Sequence, residues 1–505
     1  MASLGRYTSI LKARNKQYSP LRLLLLVVAF CVVYQIWTSF QHDTLADAIN
    51  FAHPAEPELA DYLEFIQLAH PHFKSLRLHN DGLDKMRFVA NVTKETQRLD
   101  ICELSAVDLE ATRLAHDVVV GSLSQSHYDV LASAATKPST RGIVTIGGDT
   151  FTGQVLVQLR MLRRFNAELP VEVFLPEPDE AELKGHICHT LFPALNARCV
   201  PLPKVPGHKL SRFAYKAFAL LHSTFEDILF LDADNFPIVD PNAFFDAEPY
   251  TSTGLVMWPD FWESMVSPKY YEIIHKPVDP MTLHAGSESG QIIVSKKRHG
   301  RTLLLALYYS IFGEKQYFYL FNQGGHGEGD KDFWVHAAKA LDLPYYQVRE
   351  ATVEMGGQVM EWYYVGIAQS HPGDDYARQL KAPDTTTRVT PEAKIALIHH
   401  SWTKLSPAFM ILQRYNRVWE RMWGTQAQTI EKYGYDLEDE VWQEVMYVGC
   451  GAVRFLPAKE DREQCEKLTS IWKAVLGNDT LSTTEINQKI ESATDIKRKV
   501  RLLDI

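Results

Sequence analysis

Leu229–Pro241 reads "LFLDADNFPIVDP". The apolar run from Ile228 to Leu231 has the character of a buried strand, and it delivers two carboxylates, Asp232 and Asp234, separated only by Ala233. Alternate residues of an extended segment point to one side, so the two carboxylates converge. Anions this close repel unless protons or a cation neutralise them. A hard divalent ion such as Mn²⁺ or Mg²⁺ prefers oxygen ligands and meets that need, above all when a diphosphate shares its coordination. The alternative is a plain strand-end turn, with Asp232 or Asn235 capping backbone groups.

On either side of this stretch the chain alternates strands and helices. "GIVTIGG" from Gly142 is a buried strand ending in glycines, followed by the helix "TGQVLVQLRMLRRF". Val155, Leu156, Leu159 and Leu162 share one face of that helix, with Arg160, Arg163 and Arg164 largely off it. "VEVFLP" is the next strand, and residues 212–225 form a helix with Phe213, Ala217, Leu220 and Leu221 inward. Later come a strand at 290–294, helices at 301–312 and 331–341, and the strand "KIALIHH". This order predicts an α/β domain with a mixed, mostly parallel sheet flanked by helices. Ligands of such sheets sit outside the carboxyl ends of the strands.

Other candidates lie at those ends. "IGGDTFTGQ" brings Gly147 and Gly148 between a strand and a helix, but it fits neither the dinucleotide nor the P-loop glycine pattern. It is either a close approach to a nucleotide or a tight turn. Glu288, Ser289, Gly290 and Gln291 form a polar cluster before a strand, suited to sugar hydroxyls or to a surface loop. "GGHGEGDKDFW" is a glycine loop that delivers Asp330, Lys331 and Asp332 to a helix start, where the helix dipole favours acids in any case. "IALIHHSWTKLSP" offers His399 or His400 to complete a carboxylate metal site, and Lys404 to meet a diphosphate.

The chain has 505 residues, 46% hydrophobic and 23% charged, which is globular composition with room for one large domain plus appendages. A net charge of −10, with no basic block, excludes nucleic acid as the main partner. The N-terminus differs. Arg6, Lys12, Arg14, Lys16 and Arg22 precede the apolar run Leu23–Phe40, with Tyr34 and Trp37 near its end and Asp43 and Asp47 beyond. Counted from Leu21, the run reaches the length of about 20 residues that spans a bilayer. Basic residues before it and acids after it predict an uncleaved type II anchor. A cleaved signal peptide ending near "ADA" at 46–48 is the rival.

Everything beyond the anchor then faces an oxidising lumen. Sequons at Asn91 and Asn478 are compatible with that, and five lumenal cysteines leave at least one unpaired within the chain. Spacing favours Cys188–Cys199 and Cys450–Cys465 as local bridges, and with no C-x-x-C pair a zinc ribbon is not expected. The expected organisation is a cytosolic tail 1–22, anchor 23–40, stem 41–138, catalytic domain 139–455 and helical extension 456–505.

Together, "GIVTIGGDTF", "QLRMLRRFNAELPVEVF", "YKAFALLHSTFEDILFLDADNFPIVDP", "ESGQIIVSKKRH", "GDKDFW" and "IHHSWTKLSP" resemble the fungal Golgi α-mannosyltransferases that branch cell-wall mannan and extend glycans. The resemblance covers about residues 139–410. More distantly, the chain is similar to glycogenin-like glycosyltransferases. The resemblance implies a GT-A fold in a Golgi membrane protein, with Mn²⁺, GDP-mannose as donor, a mannan or glycoprotein glycan as acceptor, and an α linkage made with retention.

By position in the family's motifs, it makes Asp232 and Asp234 the metal and diphosphate ligands. His399, five residues before Lys404, is the preferred third ligand, with His400 the alternative. Lys404 meets the diphosphate, and Gly147, Gly148 and Lys216 lie by the nucleotide. Glu288, Gln291, Asp330 and Asp332 line the donor-sugar and acceptor side, with Asp332 or Glu288 as the assisting carboxylate. A UDP-sugar transferase of the same fold, or a non-catalytic subunit of a Golgi glycosyltransferase complex, are the other readings.

Overall fold

The computed structural model describes residues 57–70, 76–79, 85–123, 137, 139–166, 168–176, 185–202, 213–327, 329–358, 362–381, 393–415, 421–452 and 458–477. The expected tail, the anchor and the sequon at Asn478 lie outside these residues. No helix among the described residues is long and apolar enough to cross a membrane.

The strands, in chain order, are β1 (Arg77–Leu78), β2 (Cys102–Glu103), β3 (Arg141–Ile146), β4 (Val171–Leu175), β5 (Ala197–Pro201), β6 (Asp227–Leu231), β7 (Asn235–Pro237), β8 (Leu255–Glu263), β9 (Ala285–Ser295), β10 (Tyr346–Gln347), β11 (Val353–Gln358), β12 (Trp362–Ser370) and β13 (Ile395–His399). The helices needed below are α1 (Pro57–Ala69), α2 (Ala106–Leu123), α3 (Thr152–Phe165), α4 (Ala214–His222), α5 (Lys296–Ile311), α6 (Phe333–Ala340), α7 (Leu437–Tyr447) and α8 (Ala458–Leu476).

A seven-stranded sheet runs β10-β8-β9-β6-β3-β4-β5, with β9 antiparallel to both neighbours and the other pairings parallel. It is mixed and mostly parallel, as the alternating strand and helix pattern predicts. The strand carrying "IALIHH" departs from expectation. It belongs to a second, antiparallel sheet of order β11-β12-β13-β7. There β13 pairs with β7, the short strand that directly follows Asp234, and His399 stands opposite Asn235. That register joins two segments far apart in the chain.

The apolar face of α3 is buried as its period requires, but its three arginines are buried too. The physical reason is a second layer from the chain's C-terminal part. Glu444 of α7 accepts from Nε of both Arg160 and Arg164, and the Arg160 guanidinium lies 3.4 Å from the Tyr447 ring centroid. Arg163 instead donates to the carbonyls of Leu195, Asn166 and Leu169. Phe213, expected inward, precedes α4 and is partly exposed.

Much of the expected stem is built into the domain. Tyr62 of α1 donates to the Leu304 carbonyl at 2.8 Å, and His116 of α2 pairs with the Tyr309 hydroxyl at 2.8 Å. Leu63, Ile66, Val119 and Leu123 are buried, so these helices cover α5 with their apolar faces. The helical extension behaves alike: Leu468, Ile471, Trp472 and Val475 of α8 join the main hydrophobic core. Cys188–Cys199 and Cys450–Cys465 are bonded, and Cys102 is a buried free thiol. Asn91 of the first sequon is exposed.

Candidate active site

A cavity of about 1000 Å³ opens at the carboxyl ends of β3, β4, β6 and β8. Gly147, Gly148, Lys216, Asp232, Asp234, Glu288, Asp330, His399 and Lys404 all line it. A Cβ on Gly147 would lie 2.8 Å from Val173, and Gly148 has φ +94°, so both backbone positions require glycine.

Asp232 and Asp234 stand in the turn between β6 and β7 rather than on a continuous strand. The turn is held from three sides. The Asp232 N–H donates to the Gly290 carbonyl at 2.8 Å, the Gln158 amide donates to the carbonyls of Asp232 and Asn235, and the His400 N–H donates to the Asp234 carbonyl at 2.8 Å. β13 therefore delivers His399 beside the carboxylates. Asp232, Asp234 and His399 each offer a ligand atom, and those atoms lie within 4.8 Å of one another.

His399 Nε2 is 3.2 Å from Asp234 Oδ1, and its Nδ1 is 3.2 Å from Glu288 Oε1. Lys404 Nζ donates to Asp234 Oδ2 and, at 2.9 Å, to the Ser401 carbonyl. Lys216 Nζ donates to the carbonyl and hydroxyl of Ser289 and stands 3.5 Å from both Asp232 Oδ1 and Asp330 Oδ2. Asp232 stays partly open to the cavity, and its partial burial pushes its carboxyl up despite Lys216. Burial opposes the charge on Asp234 too, but His399 and Lys404 outweigh it and hold that carboxyl below the usual range. His399 is pushed up to about 10: burial disfavours its charge, and Glu288 and Asp234 more than compensate.

Three sequence candidates stand elsewhere. His400 is buried with its Nδ1 3.0 Å from the Thr403 carbonyl, between Phe236 and Trp423, and burial lowers it to about 4. It is not part of the ligand cluster. Gln291 lies inside β9 opposite Leu231, and its side-chain oxygen accepts from the Asn235 amide. Asp332 precedes α6 with Oδ1 accepting from the Ser287 N–H at 2.8 Å, which pins β9 from behind the cavity wall. Neither lines the cavity. Glu288 through Gln291 also lie within β9 rather than in a loop before a strand.

The sequence reading missed Asp260, Phe261 and Trp262 at the end of β8, and Tyr364 and Trp402. Asp260 pairs with Lys331 at 3.0 Å in the cavity wall. A signal existed: "LVMWPDFW" is an apolar run ending in a carboxylate, the same pattern that singles out Asp232.

A carboxylate and imidazole cluster thus stands at the strand ends, inside a cavity of about 1000 Å³. Residues 140–285 and 281–363 match the family described as "Mannosyltransferase putative". Alpha-1,2-mannosyltransferase MNN22 of Candida albicans is 34% identical over 308 residues, covering 50% of this chain and 52% of that protein. Alpha-1,2-mannosyltransferase MNN21 of the same organism is 29% identical over 449 residues, covering 74% of this chain and 66% of that protein. The chain thus spans about half the length of the first of these relatives. The solved glycosyltransferase GlyE of Streptococcus pneumoniae overlaps 41% of this chain and 45% of its own at 15% identity, with a TM-score of 0.28, too low to assign an architecture. The α/β domain of this chain is thus similar to the fungal α-1,2-mannosyltransferases over the residues matched.

Proposed function

We propose that this chain is a type II Golgi membrane enzyme of GT-A type that transfers mannose from GDP-mannose to a mannan or glycoprotein glycan. The transfer is Mn²⁺-dependent and makes an α linkage with retention. The named relatives make α-1,2 the linkage to look for.

The observation carrying the reading is the convergence of Asp232, Asp234 and His399 from separate elements at the strand ends. Their donor set suits a divalent cation, and two further carboxylate oxygens in the cavity wall, Glu288 Oε2 and Asp330 Oδ2, are buried without a hydrogen-bond partner. A bound cation supplies Lewis-acid stabilisation of charge on the leaving diphosphate. Lys404 adds a second positive group for the same oxygens. Gly147 and Gly148 leave room for close approach of the nucleotide, and Glu288 and Asp330 face the donor sugar. Glu288 is oriented by the Gly290 N–H at 2.7 Å and by His399, which suits it to be the carboxylate that assists retention.

The test is transfer from labelled GDP-mannose to α-mannobiose by the purified full chain, with linkage analysis of the product. Chelation, or Asp234→Asn, is expected to lower the rate at least about 100-fold. Undiminished transfer in chelator contradicts the metal assignment, and turnover with UDP-sugars alone contradicts the donor.

A further inference from the structure

The cavity is ordered along the sheet. Its glycine end lies at β3 and β4, its carboxylates and His399 at the middle, and its far end at β8, next to β9 and away from β3. The far end differs in chemistry from the rest. Asp260, Phe261, His326, Lys331, Tyr364 and Trp402 line it, and none of them is used in the account of the donor above.

Two features make this end a built surface. The first is polar. Asp260 and Lys331 are buried and paired at 3.0 Å, with Lys331 Nζ also donating to the His326 carbonyl at 3.1 Å. Each keeps hydrogen-bonding capacity beyond the pair: a carboxylate accepts several bonds and an ammonium donates three. Gly327, at φ +71°, brings the loop backbone against this pair, and a Cβ there would meet Lys331 Nζ at 3.4 Å and Asp260 Oδ2 at 3.8 Å. The second is aromatic. Phe261 and Tyr364 meet edge to face at 5.9 Å, and the Tyr364 hydroxyl bonds Ser401. Trp402, three residues after His399, is 62% exposed. A large indole standing in water at the mouth of a polar cavity wastes apolar surface unless something covers it.

Aromatic faces beside paired hydrogen-bonding groups match the two surfaces of a pyranose, whose C–H face stacks and whose hydroxyls bond in the ring plane. We infer that the β8 end is the acceptor subsite, and that it takes at least two sugar units of a glycan. The Asp260–Lys331 pair holds hydroxyls of the unit nearer the carboxylates, and Trp402 stacks on a unit further out. This deepens the proposed glycosyl transfer, on which it rests for the identity of the sugar. Trp402, Asp260 and Lys331 are thereby specificity-determining residues.

The test separates binding from turnover. Saturation-transfer NMR with α-mannobiose, and with maltose as a second probe, is run on the full chain and on Trp402→Ala and Asp260→Asn. Trp402 is exposed, so its loss leaves the fold intact, and thermal melting checks this for both variants. The expected result is saccharide binding that weakens about threefold to tenfold in Trp402→Ala, and at least as much in Asp260→Asn. In the transfer assay the same variants raise KM for the acceptor while KM for GDP-mannose changes less than about twofold. A merely structural effect would move both. Binding of maltose but not of α-mannobiose, lost in Trp402→Ala, supports the subsite while overturning the mannosyl reading. No saccharide binding by the unaltered chain, or equal binding by both variants, overturns the subsite.

Discussion

Gly290 has no room for a side chain, and the reason is His399. A Cβ at Gly290 would lie 2.4 Å from His399 Cε1, so Gly290→Ala must displace the imidazole from Asp234 and Glu288. Gly290→Ala is therefore expected to lower transfer about as much as His399→Ala, on the order of 100-fold, with little change in melting temperature. The two histidines of the adjacent pair separate in the same assay. His399→Ala costs activity, because His399 faces the cavity with the aspartates. His400→Ala leaves a cavity between Phe236 and Trp423, so it costs about 2–4 kcal/mol of stability and less activity. Steady-state kinetics beside thermal melting tells them apart, and equal profiles for the two variants would contradict this division of roles. The sequence alone left the pair open, since two neighbouring histidines are indistinguishable until a register is known. That register, His399 opposite Asn235, comes from pairing of β13 with β7.

Among elements, the join between α3 and α7 carries a consequence for stability. Glu444 lies between Arg160 and Arg164, all three buried. Glu444→Gln removes the carboxylate that both guanidiniums share, leaving Arg164 paired with Glu440, and is expected to cost about 3–5 kcal/mol, read as a lower melting temperature. An unchanged melting temperature would show that the join contributes little. Helical period identified the apolar face of α3 correctly but placed its arginines off the buried surface, because nothing local announces that a helix from far downstream will cover them. β9 shows the same limit. "ESGQ" was legible as a polar cluster, yet only the strand's register shows that Glu288 reaches the cavity while Gln291 lies beneath it. Asp332 was read beside Asp330 for its position at a helix start, and one residue of separation on either side of Lys331 sends the two carboxylates to opposite sides of the wall.

At the scale of the molecule, the packing of α1 and α2 on α5 sets where the chain can be cut. A fragment beginning at Gly142 exposes the surface that Tyr62, Ile66 and Val119 cover and is expected to be insoluble, whereas one beginning at Phe51 keeps these helices. Comparable soluble yields would contradict that packing. Acid sensitivity is a second whole-molecule property. Burial lowers His116 to about 3 and His299 to about 4, so in the folded state both stay neutral at pH 5. In the unfolded chain they take up protons below about 6.5. The unfolded state therefore binds more protons between these values, and stability is lost as the pH is lowered through that window, by about 2 kcal/mol per histidine from pH 7 to pH 5. His116→Gln should shrink the difference in denaturant stability between those two pH values by that amount, and an unchanged difference would contradict it. The α/β order and the aspartate pair were readable because both are local patterns. The aromatic β8 end was not, because its residues come from β8, the 326–331 loop, β12 and the turn after β13. The catalytic role proposed for the cavity depends on Asp232, Asp234 and His399 forming a single cation site. Crystals grown with GDP and Mn²⁺ and measured at the manganese absorption edge test it directly. One anomalous peak bounded by those three side chains is expected; a peak held elsewhere, or none with GDP bound, would contradict the shared site.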